Sequence, residues 1–239
     1  GYTQKLSNEE KNAVIAESWS LCSTETRRGS NGSPRDTYNS MDAEGNLYLN
    51  GEPTGNKLYK HSASVGMYMG DVSDSEPAIV KNVTLRHRAA NSYNLTGLYA
   101  PAGEVIKIEI SEEDLNAVHT NGQTSNNSGI LVHIGQALYN RKANNIWPAK
   151  NVNRMPVILN TMRVDKNTAT YNEKTHTYTA YVGSFLGGPI YIHNVNEDVT
   201  ISVKISGGVR YNHFILGYTT EDEYNQNAKS SAPYFDLEV

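Results

Sequence analysis

The stretch VIKIEI at residues 105–110 carries the pattern that decides the fold class. Apolar and charged residues alternate in it, and a period of two is typical of a β-strand with one buried and one solvated face. Short segments of strand-like composition follow at residues 130–134, 155–162, 178–182, 190–193, 199–205 and 213–218. Strands at such short, turn-bounded intervals predict a mainly β protein built as an antiparallel β-sandwich.

Two helical signals accompany the strands. Residues 6–28 predict an N-terminal helix, because Ser7 and Glu10 form a capping box ahead of apolar residues at helical spacing. Residues 111–115, SEEDL, predict a short capped helical turn. The complete prediction is therefore an antiparallel sandwich with an N-terminal helix and short helical turns.

The predicted organisation has two parts. Residues 1–93 hold the helix and a loop-rich segment with short strands at 47–49, 64–69 and 79–87, and Asn50-Gly51 predicts a hairpin turn. Residues 94–239 hold the regular strands and form the predicted sandwich.

Composition and charge exclude several classes of protein. The net charge is −4, and the densest basic run, KNVTLRHR at residues 81–88, is interpreted as a solvated strand face, so a nucleic-acid partner is not expected. The sequence contains no run of 18 consecutive apolar residues, so it predicts no transmembrane segment. The only cysteine, Cys22, excludes an internal disulfide.

Motifs for common chemistries are also missing from the sequence. There is no HExxH, and Gly187-Gly188 lacks the GxGxxG spacing of a dinucleotide site. His133, His193 and His213 fall on predicted strands. Convergence of the three in space is one interpretation, and a polar sheet face is the favoured one. No catalytic or metal-binding residue is predicted in this chain.

Four pieces in a fixed order carry a family resemblance. They are LTGLYAPAGE at 95–104, LVHIG at 131–135 followed by RMP at 154–156, GGPIYI at 187–192, and FILG at 214–217 with TTE at 219–221 and APYFDLE at 232–238. Together they resemble the N-terminal half of the enhancin-like zinc metallopeptidases, which include viral enhancin and bacterial mucin-degrading peptidases. The resemblance covers residues 94–239.

The resemblance implies a role in a larger protein. In that family a β-sandwich precedes a helical catalytic part, in which an HExxH motif and a downstream Glu bind zinc and activate water. None of those positions exists in this sequence, so the chain by itself is expected to be inactive and zinc is expected in the missing catalytic part. A secreted or cell-surface bacterial protein acting on mucin-type glycoproteins is implied, with the rest of the peptidase chain as a partner.

Gly187, Gly188, Tyr191 and His193 are the candidate substrate-binding residues. In one interpretation the glycines clear space for a bulky glycosylated substrate beside a wall made by Tyr191 and His193. In the other, the glycines only allow the bend through which a strand enters the sandwich. Two further functions stay open: a stand-alone carbohydrate-binding or adhesin module, and a structural spacer in a surface protein.

Overall fold

The computed structural model describes Ser7 and residues 38–60, 72–86, 93–118, 129–135, 160–193, 199–233 and 235–238. Apart from Ser7, the predicted helix at residues 6–28 lies outside these ranges. The predicted strand at residues 64–69 also lies outside them.

The described residues form a mainly β structure, which confirms the predicted fold class. The first seven strands are β1 (Ser40–Met41), β2 (Asn46–Leu49), β3 (Glu52–Lys57), β4 (Ile79–Arg86), β5 (Tyr93–Ala100), β6 (Ile106–Ser111) and β7 (Ile130–Ile134). The others are β8 (Asn160–Val164), β9 (Thr170–Asn172), β10 (Thr177–Val182), β11 (Gly188–His193), β12 (Thr200–Arg210), β13 (Asn212–Ile215) and β14 (Phe235–Glu238). Two short helices are α1 (Glu112–Ala117) and α2 (Glu221–Asn227).

Twelve of these strands form one continuous antiparallel sheet that folds into two layers. In the first layer the order is β3-β2-β1-β10-β6-β12, with β4 on the far side of β12 and β9 beside β10. In the second layer the order is β5-β11-β7-β8. Strands from residues 40–57 and 79–86 therefore belong to the same sheet as the later strands.

Strand β12 joins the two layers. Its residues up to Gly208 pair with β4 and β6, whereas Val209 and Arg210 pair with Tyr99 and Leu98 of β5. The register shifts between Ser206 and Gly208, which marks a β-bulge. A bulge bends a strand and increases its twist, so it lets a single strand turn the corner of the sandwich.

Alternating apolar residues of both layers fill the space between them. Each of these aliphatic side chains contributes roughly 1.5–3 kcal/mol of stability through its burial. The residues that form this core include Ile106, Ile108 and Ile110 of β6, Ile201, Val203 and Ile205 of β12, Ile130, Val132 and Ile134 of β7, and Ile190 and Ile192 of β11.

Two local predictions are confirmed in detail. Asn50 and Gly51 between β2 and β3 both have positive φ angles, 53° and 86°, as a type I′ hairpin turn requires. Ser111 caps α1, because its side-chain oxygen accepts a hydrogen bond from the backbone N–H of Asp114 at 3.0 Å.

The C-terminal strands β13 and β14 form a separate parallel ribbon. His213 is the partner of Asp236 and Phe214 is the partner of Leu237, so the two pairs point to opposite faces of the ribbon. His213 is fully buried, while Leu237 is 59% exposed. The ribbon therefore has one inner face and one outer face.

Candidate functional site

The candidate site lies on the side of the second layer that faces away from the sandwich core. Strand β11 runs between β5 and β7, where Tyr191 is opposite His133 and His193 is opposite Tyr93. Directly opposed residues of antiparallel strands point to the same face. We call the set Tyr93, His133, Tyr191 and His193 the tyrosine–histidine face.

The rings of this face are in mutual contact. Tyr93 is central: its ring centroid lies 4.7 Å from that of His133, 5.1 Å from that of His193 and 6.4 Å from that of Tyr191. The His133 and His193 rings are 5.7 Å apart. Tyr93 is 44% exposed, whereas both histidines are buried. An incoming molecule would therefore meet the Tyr93 ring first.

His133 is held in its neutral form. Burial lowers the pKa of His133 to about 3, and the neighbouring His193 adds to this decrease. A charged imidazolium loses its hydration when it is buried, and this penalty favours the neutral ring. Near neutral pH, His133 thus contributes an uncharged aromatic surface to the site.

A hydrogen-bonded carboxylate fixes Tyr191 in this arrangement. Oδ2 of Asp236 accepts from the hydroxyl of Tyr191 at 2.5 Å and from that of Tyr211 at 3.0 Å. Asp236 belongs to β14, so these two bonds tie the C-terminal ribbon to the second layer. Hydrogen bonds to an ionised acceptor are about twice as strong as neutral ones.

The glycine pair lies away from the tyrosine–histidine face. Gly187 and Gly188 are both buried at the entrance to β11, and Gly188 and His193 are separated by roughly 16 Å along the strand. A Cβ on Gly187 would lie 2.8 Å from Ala100 O and 2.8 Å from Ala102 N, and its φ is +69°. Backbone packing and backbone conformation thus both call for glycine at position 187.

The structure brings together two of the four candidate residues. Tyr191 and His193 share one face, while Gly187 and Gly188 are buried where β11 begins. Of the three strand histidines, His133 and His193 are in ring contact, and His213 stacks on Tyr211 with centroids 5.2 Å apart. In the part of the chain that is described, no three His, Cys, Asp or Glu residues are placed to hold a metal ion.

Tyr93 and Asp236 belong to the site but are not identifiable from local sequence patterns alone. Tyr93 stands at the predicted boundary between two segments, and its position two residues before the strand-like LTGLYA is the available signal. Asp236 lies 45 residues beyond Tyr191, and no local pattern indicates this contact.

Comparison with known proteins shows the family of this chain. The model of the "N-terminal domain of M60-like peptidases" matches residues 77–206, which run from just before β4 to the bulge in β12. No curated protein matches the chain. Within the described residues no helix has the length and apolar character needed to cross a membrane.

Two solved structures have a similar fold. The IMPa metallopeptidase from Pseudomonas aeruginosa aligns with a TM-score of 0.50 at 14% identity, over 73% of this chain and 18% of that one. The IMPa metallopeptidase in complex with T-antigen aligns with a TM-score of 0.51 at 14% identity, over 75% of this chain and 19% of that one. The chain thus spans less than a fifth of these relatives.

Proposed function

The chain belongs to the M60-like peptidases through their N-terminal domain, and from this premise we propose its role in the whole protein. It is the non-catalytic β-sandwich of a secreted or cell-surface bacterial zinc metallopeptidase that acts on mucin-type glycoproteins. It serves as a scaffold and forms part of the substrate cleft. The family match confirms the resemblance found in the sequence and is the observation that carries the proposal.

The extent of the match supports a structural role. Residues 77–206 include β4 to β11 and most of β12, and these strands supply most of the core between the layers. The matched strands share one apolar core, and groups carried on strands are held more precisely than groups carried on loops.

A contribution to the cleft is supported by the tyrosine–histidine face. Tyr93 presents a partly exposed ring over two buried histidines, and the Asp236 bond holds the adjacent Tyr191. An aromatic ring with a wet hydroxyl suits a ligand that has both apolar and polar surfaces, as a sugar does. The T-antigen bound in one IMPa structure supports a glycosylated substrate for this chain as well.

Zinc is not assigned to this chain. Its described residues offer no set of three suitable ligands, so they do not fit the metal and we derive no step through it. In our proposal the metal and the water-activating carboxylate belong to another part of the protein.

An exposed apolar surface supports contact with the rest of the peptidase chain. Phe235 and Leu237 on the outer face of the C-terminal ribbon are 52% and 59% exposed. Phe214 lies beside Leu237, and its ring centroid is 6.2 Å from that of Tyr224. Contiguous exposed apolar side chains mark interaction surfaces. Both relatives extend far beyond the region that aligns with this chain, which leaves a large body available to cover this surface.

The proposal is tested by comparing peptide cleavage by the full-length protein with cleavage by the 239-residue chain. The full-length protein and the 239-residue chain are each incubated with an O-glycosylated peptide and with the same peptide lacking the sugar. We expect cleavage of the glycosylated peptide by the full-length protein only, abolished by a zinc chelator and restored by zinc. Cleavage by the 239-residue chain, or equal cleavage of both peptides, would contradict the proposal.

A further inference from the structure

A lysine on the core-facing side of β4 marks a second candidate site. Lys81 is paired with Ile205, in the same register in which Val83 is paired with Val203. Val83, Val203 and Ile205 all belong to the apolar core, so Lys81 continues an apolar row with a charged group. A polar residue at a core position breaks the pattern of a strand and is expected at functional sites.

The charge of Lys81 is balanced by the C-terminal segment. Lys81 Nζ donates to Glu223 Oε1 of α2 at 3.1 Å, and the two side chains are 25% and 29% exposed. An ammonium group has three N–H donors and a carboxylate has about four acceptor positions. In the described part of the chain the pair uses one donor and one acceptor, so hydrogen-bonding capacity is left on both groups.

These unused groups line a pocket of about 220 Å³. Leu95, Val83 and Ile215 provide its apolar walls, and Thr219 and the partly exposed Tyr218 stand at its side. Ligand pockets for drug-sized molecules are usually about 300–1,000 Å³. The smaller volume here suits a single sugar or amino-acid unit.

A buried histidine lies behind Lys81. A Cβ on Gly97 would be 2.5 Å from His213 Nε2 and 2.6 Å from Lys81 Nζ, so both nitrogens approach the space that this glycine leaves open. His213 Nδ1 bonds to the carbonyl oxygen of Tyr211 at 2.9 Å, which leaves Nε2 as an acceptor. Burial lowers the pKa of His213, so the ring adds no second positive charge.

The charge balance of the pocket selects its ligand. An anion is repelled by the acidic first turn of α2, which holds Glu221, Asp222 and Glu223, and a cation must displace Lys81 from Glu223. A zwitterion must compete with the ion pair to satisfy its own charges. A neutral molecule with neighbouring hydroxyl groups can accept from Lys81 and donate to Glu223 without breaking the pair.

We propose that this pocket binds one neutral sugar unit, whose neighbouring hydroxyls bridge the Lys81 ammonium and the Glu223 carboxylate. Its apolar face lies against the aliphatic wall. The preference for a neutral hydroxyl-rich ligand follows from the geometry and the charges, and the choice of a sugar rests on the proposed function.

The test is an NMR titration of the 239-residue chain with galactose and N-acetylgalactosamine. We expect millimolar binding, with shifts of backbone amides at residues 81–85, 94–96 and 215–223. N-Acetylneuraminic acid, which is anionic, and glycine, which is a zwitterion, should leave these amides unchanged.

Variants assign the binding to the ion pair. Lys81→Met and Glu223→Gln should each weaken sugar binding by about tenfold or more, since the first removes a charged donor and the second replaces a charged acceptor by a neutral one. Lys204→Met is the matched control, because Lys204 makes a Lys–Glu pair of the same length, 3.1 Å, with Glu109. It should leave binding unchanged. If Lys81→Met lowers the stability of the chain, the Glu223→Gln variant alone tests whether the ion pair binds the sugar.

Three results would overturn the inference: no shifts at the pocket with either neutral sugar, equal binding by the Glu223→Gln variant, or equal binding of the charged compounds. This test uses binding alone, so its failure differs from a failure of the proposed function. Sugar binding by the 239-residue chain, without glycopeptide cleavage by the full-length protein, would contradict the proposed function and still support the sugar-binding pocket.

Discussion

The hydroxyl of Tyr191 donates a 2.5 Å hydrogen bond to Asp236, a residue 45 positions later in the chain. The same carboxylate oxygen accepts from Tyr211, whose side chain is fully buried. One aspartate thus joins β14 to β11 and to the segment that follows β12. The orientation of Tyr191 on the tyrosine–histidine face depends on this contact between distant parts of the chain.

Removing this carboxylate should destabilise the protein. In Asp236→Ala the Tyr211 hydroxyl loses this acceptor within the protein interior, and we expect the free energy of unfolding to fall by about 2–3 kcal/mol. Urea denaturation measures the change. Asp74→Ala serves as the control, because Asp74 is exposed, and it should shift the free energy by no more than about 0.5 kcal/mol. Equal, small effects of both substitutions would show that the Asp236 bonds do not hold the ribbon.

Gly187→Ala separates the two interpretations of the glycine pair. The new Cβ would lie 2.8 Å from two backbone atoms, so we expect a loss of about 1–3 kcal/mol beyond the cost of the positive φ. Gly55→Ala isolates that cost, because Gly55 has a φ of +76° and a Cβ added there would have nothing within 4 Å. Thermal or urea unfolding compares the two variants.

Equal losses for Gly55→Ala and Gly187→Ala would mean that packing does not require glycine at position 187. The interpretation in which Gly187 clears space for substrate would then gain support.

The stability of the protein should decrease in mild acid because of His133. The unfolded chain protonates this histidine near pH 6.5, whereas the folded protein does so only near pH 3. Between these values the unfolded state binds more protons, so stability is full above about pH 6.5 and is lost progressively as the pH falls towards 3. At pH 5 the loss is on the order of 2 kcal/mol.

Urea denaturation between pH 5 and pH 7 measures this slope. The carboxylates whose pKa is lowered in the folded protein, Asp42, Glu76 and Glu109, add to this slope mainly near and below pH 5. Burial also lowers the pKa of His213, so this histidine adds to the slope in the same direction. His133→Asn should reduce the slope to the part that His213 contributes, whatever its effect on stability at pH 7. An unchanged slope in that variant would assign the pH dependence to other groups.

Local patterns predict much of the fold. The five residues of β7 are predicted with the observed bounds, because a short, mostly apolar run between Gly129 and Gly135 is typical of a buried strand. Strand β12 is predicted to end at residue 205 but continues to Arg210. Gly207, with a φ of +95° and a Cβ position 2.7 Å from Val105 O, forms the bulge there rather than a strand end. Glycine is common both at bulges and at strand ends, so the sequence alone does not distinguish the two. Pairing with the neighbouring strands decides that β12 continues.

The candidate site is only partly predictable. Alternation places His193 and Tyr191 on one face of β11, but neighbouring strands β5 and β7, which supply Tyr93 and His133, are distant in sequence. The interpretation of the basic run at residues 81–88 as a solvated face is wrong for Lys81, which faces the core in phase with Val83. Its period-two spacing from the apolar residues is the signal that identifies its face.

Tyr93 tests the central claim, that this sandwich forms part of the cleft of a glycoprotein-directed peptidase. The measurement is the KM and kcat of the full-length protein for an O-glycosylated peptide, compared between Tyr93→Ala and Tyr59→Ala. Tyr59 is the matched control, because both tyrosines are 44% exposed. We predict that Tyr93→Ala raises KM by roughly three- to tenfold, as expected for loss of an aromatic contact, while Tyr59→Ala leaves it unchanged. Identical KM values for the two variants and the unmodified protein would contradict the claim.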